Sequence, residues 1–395
     1  MAYGTLKQDI IDYAKQIGID TIGFGSVDPF TQMKARLKAQ QEKNYQSGFE
    51  KGTIEERTEP ALHLTGAESI ISIALAYPSR MRDRPENKSG TRRGNVCRAS
   101  WGVDYHVVLN DKLNQLHAYL EERIPGFRSK IMVDTGELPD RAVAERAGIG
   151  FSGKNCSIIT PEFGSYVYLG EMITNIPLEP DTMLEDGCGD CTKCIDACPT
   201  GALVGPGQLN TANCIAFLTQ TKDYLPDEFR SVLGNQLYGF DTCQLVCPYN
   251  KGVDFHLHAD FEPKPDLAKP ELLSLLTISN REFKETFGEM AGSWRGKKPL
   301  QRNAILALGH YREVSSIETL ATLMRKDPRP VIRGTAAFSI GKIGREDSYA
   351  LIREAMTKEE DETVRLEMEK GLQFEAIYLE KGKIKAASAQ AQLET

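Results

Sequence analysis

One run constrains everything else in this chain: Cys188-Gly189-Asp190-Cys191-Thr192-Lys193-Cys194-Ile195-Asp196-Ala197-Cys198-Pro199. The spacing Cys-x2-Cys-x2-Cys-x3-Cys-Pro presents three sulfurs from one tight turn to a [4Fe–4S] cube and sends the fourth to a second cube. Structural zinc sites instead draw their cysteines from two separated pairs. Seven of the nine cysteines fall between Cys188 and Cys247. They read as metal ligands in a reducing compartment, not as a disulfide framework.

Two cubes need about eight thiolates. After the run come Cys214, Cys243 and Cys247-Pro248. A repeat of the run would put a cysteine three residues before Cys243, but position 240 is phenylalanine. On the bacterial ferredoxin pattern, Cys188, Cys191, Cys194 and Cys247 complete the first cube, and Cys198, Cys214 and Cys243 serve the second. Three readings of the second site stay open: a non-cysteine ligand such as Asp241 or water, a three-iron cluster, or a site impaired by Phe240. Two clusters is the reading adopted, because Cys198, Cys214 and Cys243 otherwise lack a role.

The cysteine segment divides the chain. Residues 1–178 read as α/β: a helix from Leu6 to Ile17, a short strand Asp20–Phe24, and a polar helix from Phe30 to about Tyr45. Ser69 to Tyr77 is a buried strand of β-branched and apolar residues ending at Pro78. Tyr105 to Arg123 carries Leu109, Leu113, Leu116 and Leu120 on one helical face. Lys130 to Asp134 is a strand ending on a carboxylate, Leu138 to Ala147 a helix, and Ser157–Thr160 with Tyr166–Ile173 a β-hairpin. Residues 179–255 form the iron–sulfur segment, 256–299 a linker with basic residues, and 300–385 helical repeats. In the last part Ala304, Leu308 and Gly309 recur as Ala336, Ile340 and Gly341, and Arg333 and Ile340 recur as Arg365 and Leu372, each at an offset of 32 residues. That length suits paired helices of the HEAT type. The last dozen residues are expected to fray.

Charge and hydropathy narrow the setting. No stretch of about eighteen apolar residues could span a bilayer. The first sixteen residues place Lys7, Asp9, Asp12 and Lys15 at helical spacing, unlike a signal peptide. A cytoplasmic protein is expected. The net charge is −7, yet residues 281–345 hold thirteen Lys/Arg against six Asp/Glu, a local +7. An acidic protein can bind a polyanion through one such region.

Several strings together resemble the epoxyqueuosine reductase family. They are Cys97-Arg98-Ala99-Ser100-Trp101-Gly102, Val133-Asp134-Thr135-Gly136, Asp140-Arg141-Ala142-Val143-Ala144-Glu145-Arg146-Ala147-Gly148, Gly153-Lys154-Asn155-Cys156, the cysteine segment, and Gly292-Ser293-Trp294-Arg295-Gly296-Lys297-Lys298-Pro299. The resemblance runs nearly end to end. It implies an α+β multidomain fold: a nitroreductase-like α/β domain holding cobalamin, a two-cluster ferredoxin-like domain, and HEAT-like helical repeats. It implies reduction of epoxyqueuosine to queuosine at the tRNA wobble position, fed by a low-potential electron donor; a monomer is expected, since no coiled coil or repeated apolar face demands association. Phe240 departs from the family pattern, which has a cluster-ligating cysteine there. Two other classes remain to be separated: a corrinoid reductive dehalogenase-like enzyme and a non-catalytic ferredoxin-type electron carrier.

The resemblance also assigns candidate roles. Asp134, at a strand end, is the expected acid, and acting near neutral pH requires a raised pKa. Arg57, Cys97, Lys154, Asn155, Ser157 and Gln220 are candidates to contact cobalamin, with Cys97 alternatively a small buried residue. Lys222 and Gln244 could touch cobalamin or RNA. Arg281, Trp294, Arg295, Lys297, Lys298 and Arg302 are candidates for backbone and stacking contacts with an anticodon loop. His256 and His258 lack further ligands in sequence, which argues against a metal there.

Overall fold

The computed structural model describes residues 3–393, with side chains described from 5 to 380. At its centre is an antiparallel sheet in the order Thr21–Ser26, Ser69–Ala76, Val167–Thr174, Ser129–Met132. Every residue of Ser69–Ala76 is buried, because helices cover both faces. Alternation sorts its side chains: Ile71, Ile73 and Leu75 meet Leu109, Leu113 and Leu116 of the helix Tyr105–Arg123. Ile70 faces Met33, Leu37 and Val143 on the other side. The leucine stripe and the β-branched run are thus two halves of one core.

The expected hairpin of Ser157–Thr160 with Tyr166–Ile173 does not form. Ile158–Ile159 pairs with Phe151–Ser152, and Val167–Thr174 runs between Ser69–Ala76 and Ser129–Met132. Its near-continuous burial needs two flanking strands, which a hairpin partner alone cannot supply. One isolated bridge, Thr160 to Gly164, marks the turn.

In the cysteine segment, the short helices Lys193–Asp196 and Thr242–Leu245 pack together, each beginning one residue before a cysteine of the pattern. The segment is stitched to its neighbours on both sides. Asn95–Val96 pairs in parallel with Gln236–Tyr238, and Val96 and Leu237 belong to the same apolar cluster as the C-terminal helices.

Those helices, Lys297–Tyr311, Ile317–Lys326, Pro330–Ile343, Glu346–Met356 and Glu362–Leu393, alternate as the 32-residue echo predicts. The first, third and fifth pack in succession as an inner layer. A Cβ on Gly341 would lie 2.1 Å from the Gly371 carbonyl oxygen, so these backbones touch where the repeat carries glycine. The run expected to fray falls outside the described side chains. Among the described residues no helix is long and apolar enough to cross a membrane.

Candidate active site and iron–sulfur centre

Cys188, Cys191, Cys194 and Cys247 ring one cavity of about 280 Å³, joined by Lys154, Asn155 and Tyr249. These are the four thiols assigned to the first cube. The Lys154 amide lies 3.5 Å from the Cys188 sulfur, and the Tyr249 hydroxyl donates to the Gly187 carbonyl at 2.8 Å. Among the described residues no three His, Cys, Asp or Glu are spaced to close on a single metal ion. Thiolates at the corners of a cube stand further apart than ligands of one ion, so the two observations agree.

The second site is different. Cys198, Cys214 and Cys243 are half-buried, and Phe240 packs against the apolar cluster of Ile215, Leu218, Leu233, Leu306 and Phe338. Asp241, the substitute ligand considered above, is already engaged. Its carboxylate accepts from the Arg98 guanidinium at 2.8 Å and from the Arg98 amide at 3.2 Å.

A second cavity, about 330 Å³ and open to solvent, is walled by the aromatic residues Tyr77, Tyr105 and Tyr168, with Asp134, Asp140, Arg141, Cys156, Ser157 and Gln244. The Tyr105 and Tyr168 rings stack with centroids 4.7 Å apart and planes at 6°. Gln244 follows Cys243 directly, so the iron–sulfur segment forms part of this wall. Among the described residues, four non-glycine positions have left-handed backbone, and two of them, Asp134 (φ 50°) and Cys156 (φ 66°), line this cavity. Strain of that kind gathers at functional sites.

Asp134 lies two residues beyond the strand Ser129–Met132, and its side chain is 57% exposed. The Tyr105 hydroxyl donates to it at 2.8 Å, and His106 Nε2 stands 3.3 Å away. The His106 ring close by, aided by the Tyr105 hydrogen bond, outweighs desolvation and holds the Asp134 carboxyl below the ordinary aspartate value. The expectation of a raised pKa is therefore corrected. Burial works to depress His106, but its contacts with Asp104 and Asp134 raise it to about 9. The resting pair is a carboxylate beside an imidazolium, and the proton sits on histidine.

Behind Asp134 lie two carboxyls, Asp140 half-buried and Glu171 fully buried. Burial first, then the charge of Asp134, pushes Asp140 up to about 6. Glu171 is fully buried on the central strand, opposite Ser72 and Met132, and burial together with Asp140 drives its pKa well up. At least one of these two carboxyls is protonated at neutral pH.

The other candidates divide. Ser157 and Gln244 line the Asp134 cavity, whereas Lys154 and Asn155 line the cluster cavity. Arg57 lines neither, and Cys97 is buried with its sulfur against Gly239. Gln220 belongs instead to the surface group, since its side-chain oxygen accepts from Trp294 Nε1 at 3.0 Å. His256 bonds Glu262 and His258 bonds Asp20, so the two rings are held by separate carboxylates.

On the surface, Trp294 is 54% exposed and meets Phe49 edge-on at 5.2 Å. Phe49 in turn touches Phe217. The Arg295 guanidinium lies over both the Phe49 and Trp294 rings. Lys222 and Arg281 are exposed, and Lys297 and Lys298 are partly exposed. Arg302 is not part of this surface. It is 1% exposed and donates to the carbonyls of Leu218 and Asp223 and to the Thr221 hydroxyl. Its five donors suit it to tying loop carbonyls to the first repeat helix. Phe49 and Phe217 were invisible in the sequence, because nothing local ties them to Trp294.

Three family models match this chain. Epoxyqueuosine reductase QueG covers residues 57–135, a 4Fe-4S double cluster binding domain residues 187–250, and HEAT repeats residues 295–373. Epoxyqueuosine reductase of Bacillus anthracis is 63% identical over 374 residues, covering 95% of this chain and 98% of that protein. The Escherichia coli (strain K12) enzyme of the same name is 31% identical over 376 residues, covering 94% and 98%. A crystal structure of epoxyqueuosine reductase with a tRNA-Tyr epoxyqueuosine-modified stem loop superposes with TM-score 0.93 at 61% identity, covering 95% of this chain and all of that one. Another, from Bacillus subtilis with its Asp134 catalytic loop swung out of the active site, gives TM-score 0.92 at 61% identity over 94% and 99% of the two chains. With its iron–sulfur segment, its Asp134 cavity and relatives matched nearly end to end, the chain belongs to the epoxyqueuosine reductase family.

Proposed function

We propose that this chain reduces epoxyqueuosine to queuosine in tRNA, a two-electron, two-proton removal of the epoxide oxygen as water that leaves an alkene. The observation that carries the reading is the shared wall: Asp134 and the iron–sulfur segment, through Gln244, border one cavity. A stacking surface for an unpaired base, Trp294 with Phe49 and Arg295, adds to it.

The residues of the cavity suit cobalamin. A flat aromatic wall accommodates a macrocycle face, and the cavity-lining Arg141 has a buried Nη1 without a partner, available to a ligand's amide or phosphate. Ser157 and Gln244 would complete the polar rim. When bound, cobalamin supplies a centre that can store two electrons and attack carbon.

The protein's own chemistry is proton management. Asp134 sits at the cavity edge, bonded to Tyr105 and beside a protonated His106. As negative charge develops on the opened epoxide oxygen, a proton passes from His106 through the Asp134 carboxyl to that oxygen, and a second, taken from solvent through the open cavity, completes the departing water. The electrons enter at the cysteine segment from a low-potential donor. Anaerobic incubation of reconstituted protein with cobalamin, a reductant and an epoxyqueuosine-bearing stem loop tests the proposal. Conversion to queuosine that depends on the corrinoid supports it, and an unchanged stem loop overturns it.

A further inference from the structure

We infer that the second iron–sulfur site of this chain offers three thiolates and no fourth protein ligand, so that it holds a three-iron centre where the first site holds a cube. The inference rests on the ferredoxin-type reading of the cysteine segment, and it concerns what distinguishes this chain.

The two halves of the segment are built alike. Cys191 stands two residues before the helix Lys193–Asp196, and residue 240 stands two residues before the helix Thr242–Leu245. The backbone at each helix end repeats as well: the amides of Ala197 and Val246 make equivalent hydrogen bonds back into their helices. Position 240 is therefore the counterpart of a ligating cysteine. Phenylalanine has no donor atom, and this ring is packed among Ile215, Leu218, Leu233, Leu306 and Phe338. The chain has filled the fourth corner with hydrocarbon.

Asp241 and Cys97 are both engaged elsewhere, which leaves Cys156 as the neighbour to test. Asp241 is held by both the guanidinium and the amide of Arg98, and swinging toward the cluster would strand a half-buried arginine. Two cysteines lie outside the seven. Cys97 is 8% exposed with its sulfur pressed against Gly239, where a Cβ would come within 2.2 Å of it. Cys156 is on the loop whose Asn155 side chain donates to the Cys243 carbonyl at 3.5 Å, and it lies near enough to Cys214 and Cys243 to feel their charges, but it forms part of the wall of the Asp134 cavity. An iron corner facing an apolar wall without a protein ligand is the one a cube gives up, and three thiolates match the three irons that remain.

The test uses the full chain, reconstituted anaerobically with ferrous iron and sulfide, without tRNA or cobalamin, so that its result is independent of the proposed activity. Iron and sulfide are counted per chain, and electron paramagnetic resonance is recorded after mild oxidation. About seven irons are expected, with the paramagnetic signal that an oxidised three-iron centre gives and an oxidised four-iron cube does not. Phe240→Cys should gain one iron and lose that signal. About eight irons without the signal in the unaltered chain would overturn the inference, and Cys156→Ser or Cys97→Ser would then reveal the substitute by shedding one iron. About four irons would overturn it too, by showing that the second site holds no centre.

Discussion

His106 Nε2 lies 3.3 Å from Oδ2 of Asp134, so the proton donor proposed for the cavity is this pair, not Asp134 alone. Asp134→Ala removes the carboxyl that the proposed mechanism places at the epoxide oxygen. Turnover of the epoxyqueuosine stem loop is expected to fall by at least about 100-fold, the usual contribution of a positioned acid. Cobalamin retention, read from its visible absorbance, should be unchanged. Full turnover in this variant would remove Asp134 from the mechanism.

The same pair sets a pH dependence. The imidazole of His106 is raised from 6.5 to about 9, so its contribution to stability is complete below 6.5 and is lost as pH rises through about 9. With a quarter of the ring exposed, the effect on stability is of order 2 kcal/mol. Denaturant midpoints should decline across that window in the unaltered chain and stay flat in His106→Gln. A midpoint that falls equally in both would place the titration elsewhere.

Glu171 is buried against Asp140 on the central strand, and neither of its carboxyl oxygens has a hydrogen-bond partner of good geometry. Glu171→Gln removes an ionisable group from a site that cannot solvate its charge. Stability at pH 8 should rise by about 1–2 kcal/mol, and the gain should shrink at pH 5, nearer the ordinary glutamate pKa, where keeping this carboxyl from ionising costs little. Thermal melts at the two pH values measure it. A loss at pH 8 would mean that the charge is used.

Much of this was legible beforehand, and the exceptions share a cause. The helix Tyr105–Arg123 and the strand Ser69–Ala76 announced themselves through periodicity, because one face or both had to be apolar. The seven cysteines were legible because a cluster dictates local spacing. The pairing of Val167–Thr174, the partners of Asp134 and the burial of Arg302 depend on residues remote in sequence. Arg302 sits in a basic run and looks like a surface charge, yet what decides its place is a set of carbonyls some eighty residues earlier. His106 could have been suspected from Asp104, which caps the helix start and holds the ring.

Arg302 and Arg295, seven residues apart, should therefore behave oppositely. Arg295→Ala strips the guanidinium from the Phe49 and Trp294 rings, and Trp294→Ala removes the platform itself. Each should weaken stem-loop binding by about 1–3 kcal/mol, roughly 5- to 150-fold, while leaving the melting temperature nearly unchanged. If the guanidinium also neutralises a phosphate of the stem loop, Arg295→Ala should reduce the salt dependence of binding. Arg302→Ala instead leaves the Leu218 and Asp223 carbonyls and the Asn303 side chain without their donor in a buried site, costing about 3 kcal/mol or more of stability. Titration of labelled stem loop at two salt concentrations, paired with thermal melts, separates the two classes. If Trp294→Ala bound the stem loop as tightly as the unaltered chain, the aromatic surface would have to be read as packing between the loop at Phe49 and the repeat entrance, and the basic face of the repeats would become the place to look for the RNA.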